Sequence, residues 1–366
     1  MHGFRVIFAA IPDPRDINAQ HDLTEILFIA IAASLCGANS SVAFAAFGCA
    51  KQALLRQFLT LEHGIPSHDT FSRVFRHLDP EALEAALVRF TAALGAALGQ
   101  EVAGQVVAVD GKRLRRAYDK GRAYMPPLMV SAYLNHTRLV LAQTLAPGTG
   151  EIKGVLKLFE LIALEGAIVT GDALHCTRKT AAALLAKGAD YVLTLKGNRS
   201  SLAKEAHARF AALGPRAPSA ETCDQAHGRI ERRRAWVITA PDLAARHGFK
   251  GLVALGRIEA WRTQGSKTSH KLRHFVLSKA LTPSQLLSTV REHWSIENRV
   301  HWPLDVVFDE DLSRTRKDHG PRNLAVLRTL SLNMLRANTS KDSLNIKRQR
   351  AGWDDRFFIE LMTHVR

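Results

Sequence analysis

The run "QVVAVD" at residues 105–110 decides the interpretation of the fold. Its β-branched residues are typical of a buried strand, which we expect to end at Asp110. A second run, "GAIVTGD" at residues 166–172, ends in the same way on Asp172. Each aspartate also has an ordinary explanation, because Asp-Gly is a common turn pair and Asp often caps a helix. Together the two runs predict two carboxylates at the ends of two buried strands.

The segments around these runs predict how the strands connect. A strand hairpin is expected within residues 127–146, helices at 153–164 and 177–188, and a further strand at 190–198. This order predicts three meandering strands followed by right-handed crossovers to parallel strands. That connectivity is the ribonuclease H-like fold, an α/β fold with a mixed sheet in which the first and fourth strands are neighbours. We therefore expect Asp110 and Asp172 to lie side by side.

The flanking regions differ from this core in pattern. Residues 1–100 show helical periodicity throughout and predict an all-α domain. A β-rich insertion with three strands is predicted at 218–280, so that the core comprises 104–217 and 281–340. Thr282 and Pro283 favour the start of a long helix after the insertion. Residues 341–366 are interpreted as a C-terminal tail.

Composition narrows the class of partner. The chain of 366 residues has 50 Lys and Arg against 34 Asp and Glu, a formal net charge of +16. Such a surplus favours a polyanion, nucleic acid before membrane. The four cysteines show no metal or disulfide spacing, which fits a reducing cytosol. The uncharged stretch 26–50 approaches membrane-spanning length, but "CGANSS" at its centre predicts two short buried helices instead.

The stretch "REHWSIENRVHW" at 291–302 supplies a third acidic candidate. On a helix, His293, Glu297 and His301 share one face. Two aspartates on a basic chain suit a hard cation such as Mg²⁺, and Glu297 on a helix packed against the sheet would complete the set. Five other acidic residues compete for that role: Glu292, Asp305, Asp309, Glu310 and Asp311. Zinc is disfavoured because the helical His pair of a zincin is absent. The indole rings of Trp294 and Trp302 are expected to pack against other side chains rather than to stack on bases.

The chain also resembles a known family along nearly its whole length. The segments "VVAVDGKRLR", "GAIVTGDALHC", "ADYVLTLKGN", "HGRIERR" and "HWSIENRVHWPLDVVFDEDLSR" resemble the core of bacterial insertion-sequence transposases of the ISAs type. These are DDE transposases related to the larger IS-four group. The segments "IPDPRD" and "GIPSHDTFSRVFRHLDP" resemble the helical domain that accompanies that core.

The resemblance implies a function and a site. By position, the metal-binding triad would be Asp110, Asp172 and Glu297, holding two Mg²⁺ or Mn²⁺ ions. The partner would be double-stranded DNA, as terminal inverted repeats and as target DNA attacked by a 3′-hydroxyl. A dimer is expected in the synaptic complex, in the bacterial cytoplasm near the nucleoid and without a membrane. The hypotheses that compete with a transposase are an inactive or domesticated DNA-binding protein and a ribonuclease H-like nuclease without strand transfer.

Basic residues near the three acids are predicted to contact DNA phosphates. They are Lys112, Arg113, Arg115, Arg116, Lys196, His293, Arg299 and His301. A solvated basic loop is the ordinary alternative for each lysine and arginine. The wider IS-four-related group has Tyr, Arg and Lys around its glutamate, where this chain has Val290, His293 and Leu304. Whether cleavage proceeds through a DNA hairpin therefore stays open, and Pro303 is expected to end or kink the helix.

Overall fold

Six helices precede the first strand. They are α1 (His2–Phe8), α2 (Leu23–Leu35), α3 (Ser41–Ala50), α4 (Gln52–Leu55), α5 (His68–His77) and α6 (Pro80–Ala97). The computed structural model describes residues 2–118, 125–148, 150–214, 219–226 and 228–363. Of the domain boundaries that the sequence predicted, position 218 and residues 364–366 lie outside the described residues. The Asp22 side chain caps α2, and the Ser40 hydroxyl caps α3 after the predicted break. Among the described helices, none has the length and hydropathy that crossing a membrane requires.

Five strands form the predicted mixed sheet. They are β1 (Val106–Arg113), β2 (Leu128–Leu134), β3 (Leu139–Leu145), β4 (Ile168–Gly171) and β5 (Asp190–Leu195), in the order β3-β2-β1-β4-β5. β2 is antiparallel to β1 and β3, whereas β4 runs parallel to both β1 and β5. The helices α7 (Glu151–Leu161) and α8 (Arg178–Ala186) make the two crossovers. This topology confirms the ribonuclease H-like fold.

The region after β5 continues the same sheet. After α9 (Ser200–Ala211) come β6 (Ala220–Ala226), β7 (Arg229–Thr239), α10 (Asp242–His247), β8 (Ala254–Gln264) and β9 (Lys267–Leu277). β9 pairs antiparallel with β5, and β8, β7 and β6 follow outward. The region is rich in β-structure as expected, but it has four strands where three were predicted. The missed strand, β6, has mostly polar side chains and alternates only between half-buried and exposed positions.

The C-terminal segments return to the helical side of the molecule. They form α11 (Pro283–His293), a π-helix (Glu297–His301), α12 (Trp302–Val306), α13 (Gly320–Ala337), α14 (Leu344–Trp353) and α15 (Asp355–Thr363). The predicted cap, Thr282, closes a capping box with Gln285 at the start of α11, and Pro283 is the first residue of the helix as expected. Nearly every residue of α13 is buried, because it packs against α2, α5, α6 and β3.

The predicted C-terminal tail is folded. Within it, α14 packs against α2, where Arg348 Nε donates to the Ser34 carbonyl at 3.0 Å and Cys36 Sγ contacts the Ala351 carbonyl at 3.1 Å. Leu361 and Met362 of α15 belong to the same apolar cluster as the N-terminal helices and one face of the sheet. The interpretation of 341–366 as a tail was therefore wrong, since these helices complete the core.

Candidate active site where two parallel strands diverge

Asp110 and Asp172 lie next to the last pair between β1 and β4. These strands pair in parallel as far as Val109 and Gly171, and each aspartate is the following residue of its chain segment. The prediction that β1 ends at Asp110 is wrong, because β1 continues to Arg113 along its hairpin partner β2. Pairing with β4 nevertheless stops before Asp110. The two carboxylates therefore flank the opening that forms where the parallel strands separate.

The Asp110 carboxyl is largely buried and lies close to other acidic side chains. Its Oδ1 accepts from the Gly111 backbone N–H at 2.9 Å, and its Oδ2 lies 3.6 Å from His301 Nδ1. Burial raises the pKa of Asp110 to about 7, and the negative charges of Asp172 and Glu151 raise this pKa further, against the lowering effect of the Gly111 N–H. A bound cation would offset this cost of ionising Asp110, so the donor set fits a hard metal ion.

Asp172 both caps a turn and contributes a carboxylate to the candidate site, the two roles that its sequence context suggested. Its Oδ1 accepts from the backbone N–H groups of Leu174 at 2.8 Å and His175 at 3.3 Å, which makes it a cap for the turn leading to α8. Its side chain is 46% exposed and keeps its second oxygen open to the site. The two backbone hydrogen bonds therefore fix the direction of the Asp172 carboxylate and leave it able to bind a further ligand.

Two residues that sequence reasoning missed complete the cluster. Asp110, Glu151 and His175 each bring one potential ligand atom within 4.8 Å of the other two. Glu151 is the first residue of α7, and His175 stands in the turn after Asp172. His175 Nε2 lies 3.2 Å from Glu151 Oε1 and 3.7 Å from Asp172 Oδ1. The sequence signals for these two residues were weak. Glu151 was an acidic residue at a helix start, and His175 was a histidine three positions after Asp172.

Glu297 lies on the π-helix and is exposed to solvent. Its charge acts on Arg273, whereas the charges acting on Asp110 come from Asp172, His175 and Glu151. The structure thus brings Asp110 and Asp172 together, and it places Glu297 on the neighbouring segment.

Two histidines fasten the Glu297 segment to the strands. His293 Nδ1 lies 3.0 Å from the Thr170 hydroxyl of β4, and His301 Nδ1 lies 3.6 Å from Asp110. Burial lowers the pKa of both imidazoles to about 4, so both are neutral near pH 7. The burial of His293 argues against its predicted contact with DNA. The two imidazoles instead contact the strands from positions before and after Glu297 in the chain.

The helix that carries Glu297 changes its hydrogen-bond pattern. The Trp302 N–H donates to the Glu297 carbonyl, five residues back, as in a π-helix. Pro303 has no N–H and cannot supply the α-helical bond to Arg299. The predicted disruption by Pro303 therefore takes the form of a π-helical turn, after which α12 continues for five residues.

Lys112 has partners within the chain. Its ammonium lies 2.7 Å from Asp305 Oδ1, 2.8 Å from Glu310 Oε2 and 3.3 Å from Asp311 Oδ1. The extension of β1 beyond Asp110 carries Lys112 into this acidic cluster. The arrangement disagrees with the predicted phosphate contact of Lys112, and it also occupies three of the five acids that competed with Glu297. Asp309, a fourth competitor, accepts from Asn39 Nδ2 at 2.8 Å.

Of the remaining predicted DNA contacts, five are on the surface and His301 is half-buried. Exposed positions are held by Arg113, Arg115, Arg116, Lys196 and Arg299. Lys196 directly follows β5, at the same sheet edge as Asp172. Trp294 lies against Arg273, with the guanidinium carbon 4.9 Å from the ring centroid. Trp302 is 57% exposed, and the expectation that it packs rather than stacks on bases stays a prediction.

Comparison with known families decides the identity. The family model described as "Transposase DDE domain" matches residues 102–334, and the one described as "DDE_Tnp_1-associated" matches residues 6–91. The chain belongs to the DDE transposase family. It is a DNA transposase of the bacterial type, and membership of this family implies use of a divalent metal ion. The finer assignment to the ISAs type stays a prediction.

Individual proteins match most or nearly all of the chain. "H repeat-associated putative transposase YhhI" of Escherichia coli K12 is 28% identical over 364 residues, covering 96% of this chain and 95% of the relative. The "Uncharacterized protein in dhlA 3'region" of Xanthobacter autotrophicus is 39% identical over 282 residues, covering 75% of this chain and 94% of its own length. A solved piggyBac transposase synaptic complex with hairpin DNA matches with a TM-score of 0.45 and 12% identity, over 100% of this chain and 80% of that one.

Proposed function

We propose that the transposase cleaves DNA at the ends of an insertion sequence and joins the freed 3′ ends to target DNA, with Asp110, Asp172 and Glu297 as its metal ligands. The ions would be two Mg²⁺ or Mn²⁺. The observation that carries this proposal is the position of Asp110 and Asp172 on either side of the opening between β1 and β4. Bound divalent ions would activate the attacking oxygen and stabilise the leaving oxygen during phosphoryl transfer.

The surrounding residues would orient the three acids. The backbone N–H groups of Leu174 and His175 hold the Asp172 carboxylate. The bond between His293 and Thr170 ties the start of the Glu297 segment to β4, and His301 reaches Asp110 from its end. Because both imidazoles are buried and neutral, they position this segment without adding positive charge that would compete with a metal ion.

Double-stranded DNA would lie along the basic surface around this opening. Arg113, Arg115, Arg116, Lys196 and Arg299 are exposed, and each could neutralise one phosphate. A cavity of about 740 Å³ opens beside the Glu297 segment and is lined by Arg138, Arg299, Trp302, Arg336 and Lys341 among others. Exposed cations and an exposed indole in one concave surface are features that favour a nucleic acid ligand.

The DNA partners would be the terminal inverted repeats and a target duplex. Strand transfer requires two DNA ends to be brought together, so we propose a dimer in the synaptic complex. The N-terminal helices are the hypothetical binding site for the ends. Replacing the five exposed cations together should reduce the slope of log K against log salt by about 0.9 for each phosphate that the variant no longer neutralises. An unchanged slope would exclude them from the interface.

A cleavage assay tests the proposal directly. A duplex carrying the sequences that flank the gene would be incubated with Mg²⁺ or Mn²⁺ and with the wild type, Asp110→Asn, Asp172→Asn or Glu297→Gln. We expect cleavage at a defined end and joining to a target plasmid in the wild type, and loss of both in each variant with DNA binding retained. Glu292→Gln is the matched control, because Glu292 precedes Glu297 by five residues and is no member of the proposed triad.

The alternative outcomes separate the competing functions. Binding without cleavage by the wild type would indicate an inactive or domesticated DNA-binding protein. Cleavage without joining would indicate a nuclease without strand transfer. Cleavage that persists in Glu297→Gln would remove Glu297 from the triad.

A further inference from the structure

The acid cluster around Asp110 contains one carboxylate, that of Glu151, which the proposed triad does not use. We propose that Glu151 is a metal ligand together with Asp110, and that His175 is a positioning residue that aims the Glu151 carboxylate. This inference rests on the proposed function, since it assumes a metal ion at Asp110. It assigns a ligand role to the first residue of α7 and makes the metal centre one with four carboxylates.

The position of Glu151 is the first argument. Ligand atoms of Asp110, Glu151 and His175 all lie within 4.8 Å of one another, which is close enough for one ion to contact both carboxylates beside the His175 ring. An acid in the first turn of a helix is ordinarily explained by the helix dipole. That explanation accounts for the residue type, but not for a side chain turned towards β1 and the carboxylate of Asp110. Two carboxylates at such a distance repel one another unless a cation lies between them.

His175 supplies an independent second observation. Its side chain is 1% exposed, and neither ring nitrogen has a hydrogen-bond partner in the described residues. Nε2 nevertheless lies 3.2 Å from Glu151 Oε1 and 3.7 Å from Asp172 Oδ1. A buried imidazole without partners costs free energy, so its retention between two acids points to a ligand that completes the cluster. The backbone bond from His175 to Asp172 holds the ring in this place.

Gly111 shows how closely Glu151 approaches the strand. A Cβ atom at residue 111 would lie 2.6 Å from Glu151 Oε1 and 3.1 Å from a methyl carbon of Leu128. The Glu151 carboxylate therefore fills the space that any larger residue after Asp110 would need. The glycine in "VDGK" is therefore explained by the space that the Glu151 carboxylate needs, and not by a turn.

The consequence is a metal site that exists before DNA binds. Asp110 and Glu151 come from a strand and a helix start of the core, whereas Glu297 is exposed on the π-helix. An ion should therefore bind the free protein through Asp110 and Glu151.

Manganese binding without DNA tests this inference. The affinity of the full chain for Mn²⁺ would be measured by titration calorimetry and by electron paramagnetic resonance of the ion. We expect Glu151→Gln to weaken binding by about 10- to 100-fold, and Glu160→Gln, which changes an exposed acid near the other end of α7, to leave it unchanged. Circular dichroism would verify that each variant is folded.

The role of His175 needs a readout of the ion itself. His175→Ala should broaden the resonance of bound Mn²⁺ and weaken its binding, and His175→Gln should restore part of both because its amide can still contact Glu151. Gly111→Ala is a second variant that displaces the Glu151 carboxylate while keeping the residue, and it should weaken Mn²⁺ binding as Glu151→Gln does.

Two results would overturn the proposal in different ways. If Mn²⁺ affinity is unchanged in Glu151→Gln or Gly111→Ala but abolished in Asp110→Asn, Glu151 is not a ligand and the proposed function stands. If Asp110→Asn also binds Mn²⁺ normally, the metal site itself is misplaced and the proposed function fails with it. An ion that binds equally well to His175→Ala and the wild type, with the same resonance, would remove His175 from its positioning role.

Discussion

Arg322 illustrates how a single side chain joins three elements. Its Nε donates to Glu84 Oε1 at 2.6 Å and its Nη2 to Glu84 Oε2 at 2.7 Å, while Thr144 of β3 also donates to Glu84 at 2.9 Å. The Glu84 side chain is 1% exposed, so its carboxylate depends on these partners rather than on water for hydrogen bonds. The network connects α13, α6 and β3 at the interface between the helices and the sheet.

We expect Arg322→Ala to lower the free energy of unfolding by about 3–5 kcal/mol, because it leaves the Glu84 carboxylate buried and without a counter-charge. Urea denaturation would measure the change. Lys157→Ala is the matched control, since Lys157 forms an exposed ion pair with Glu81 of the same network. Its removal should cost less than about 1 kcal/mol. Equal decreases in the free energy of unfolding of the two variants would contradict this interpretation. They would show that the contribution of an ion pair to stability does not depend on its burial.

At the scale of elements, the π-helix determines where Glu297 lies relative to the strands. An α-helix would need a Pro303 N–H for the Arg299 carbonyl, and the wider turn avoids that requirement. The same turn changes the rotation of His301 relative to Glu297. The helical periodicity that predicted a shared face for His293, Glu297 and His301 therefore does not hold between Glu297 and His301.

We expect Pro303→Ala to restore the α-helical bond and to turn Glu297 away from its present direction. Cleavage of a DNA end should then fall by about 100-fold, since small displacements of a catalytic group have effects of this size, while DNA binding is retained. Single-turnover cleavage and a binding assay would measure both. Pro321→Ala is the control, because Pro321 stands in the first turn of α13, where a missing N–H costs nothing. Full activity in Pro303→Ala would show that the π-helix does not position Glu297.

At the scale of the whole molecule, the N-terminal helices and the sheet share one core. The apolar cluster that contains Phe28 and Phe75 also contains Tyr133 of β2, Leu335 of α13 and Phe358 of α15. The central contacts of this core thus join segments that are more than 200 residues apart. The helices of residues 1–100 consequently have apolar faces that the sheet and the C-terminal helices cover.

We expect a fragment of residues 1–100 to lack cooperative thermal unfolding, because α2 loses the cover of α13 and α14. Circular dichroism of the fragment would be compared with that of the full chain, for which a single transition is expected. A fragment that unfolds cooperatively on its own would show that the helical part is an independent domain.

Local pattern was sufficient for the strands and crossover helices of the core and for their order. The capping residues Asp22 and Thr282 begin helices where the sequence predicted them, because capping involves only neighbouring residues. The order of strands and helices was sufficient for the topology, since crossovers between parallel strands have one favoured hand. Topology in turn placed Asp110 beside Asp172. The sequence by itself therefore determined the ribonuclease H-like core and two of the predicted acids.

The tertiary structure alone decided which side chains meet. Glu151 and His175 belong to different crossovers, and Lys112 finds its carboxylates about 200 residues further along the chain. No periodicity encodes such pairs, because they depend on how far β1 extends and on where α7 and α12 pack. The same reason explains the buried C-terminal helices, whose partners are the first helices of the chain. Propensities act over a few residues, whereas these contacts arise from the packing of distant segments.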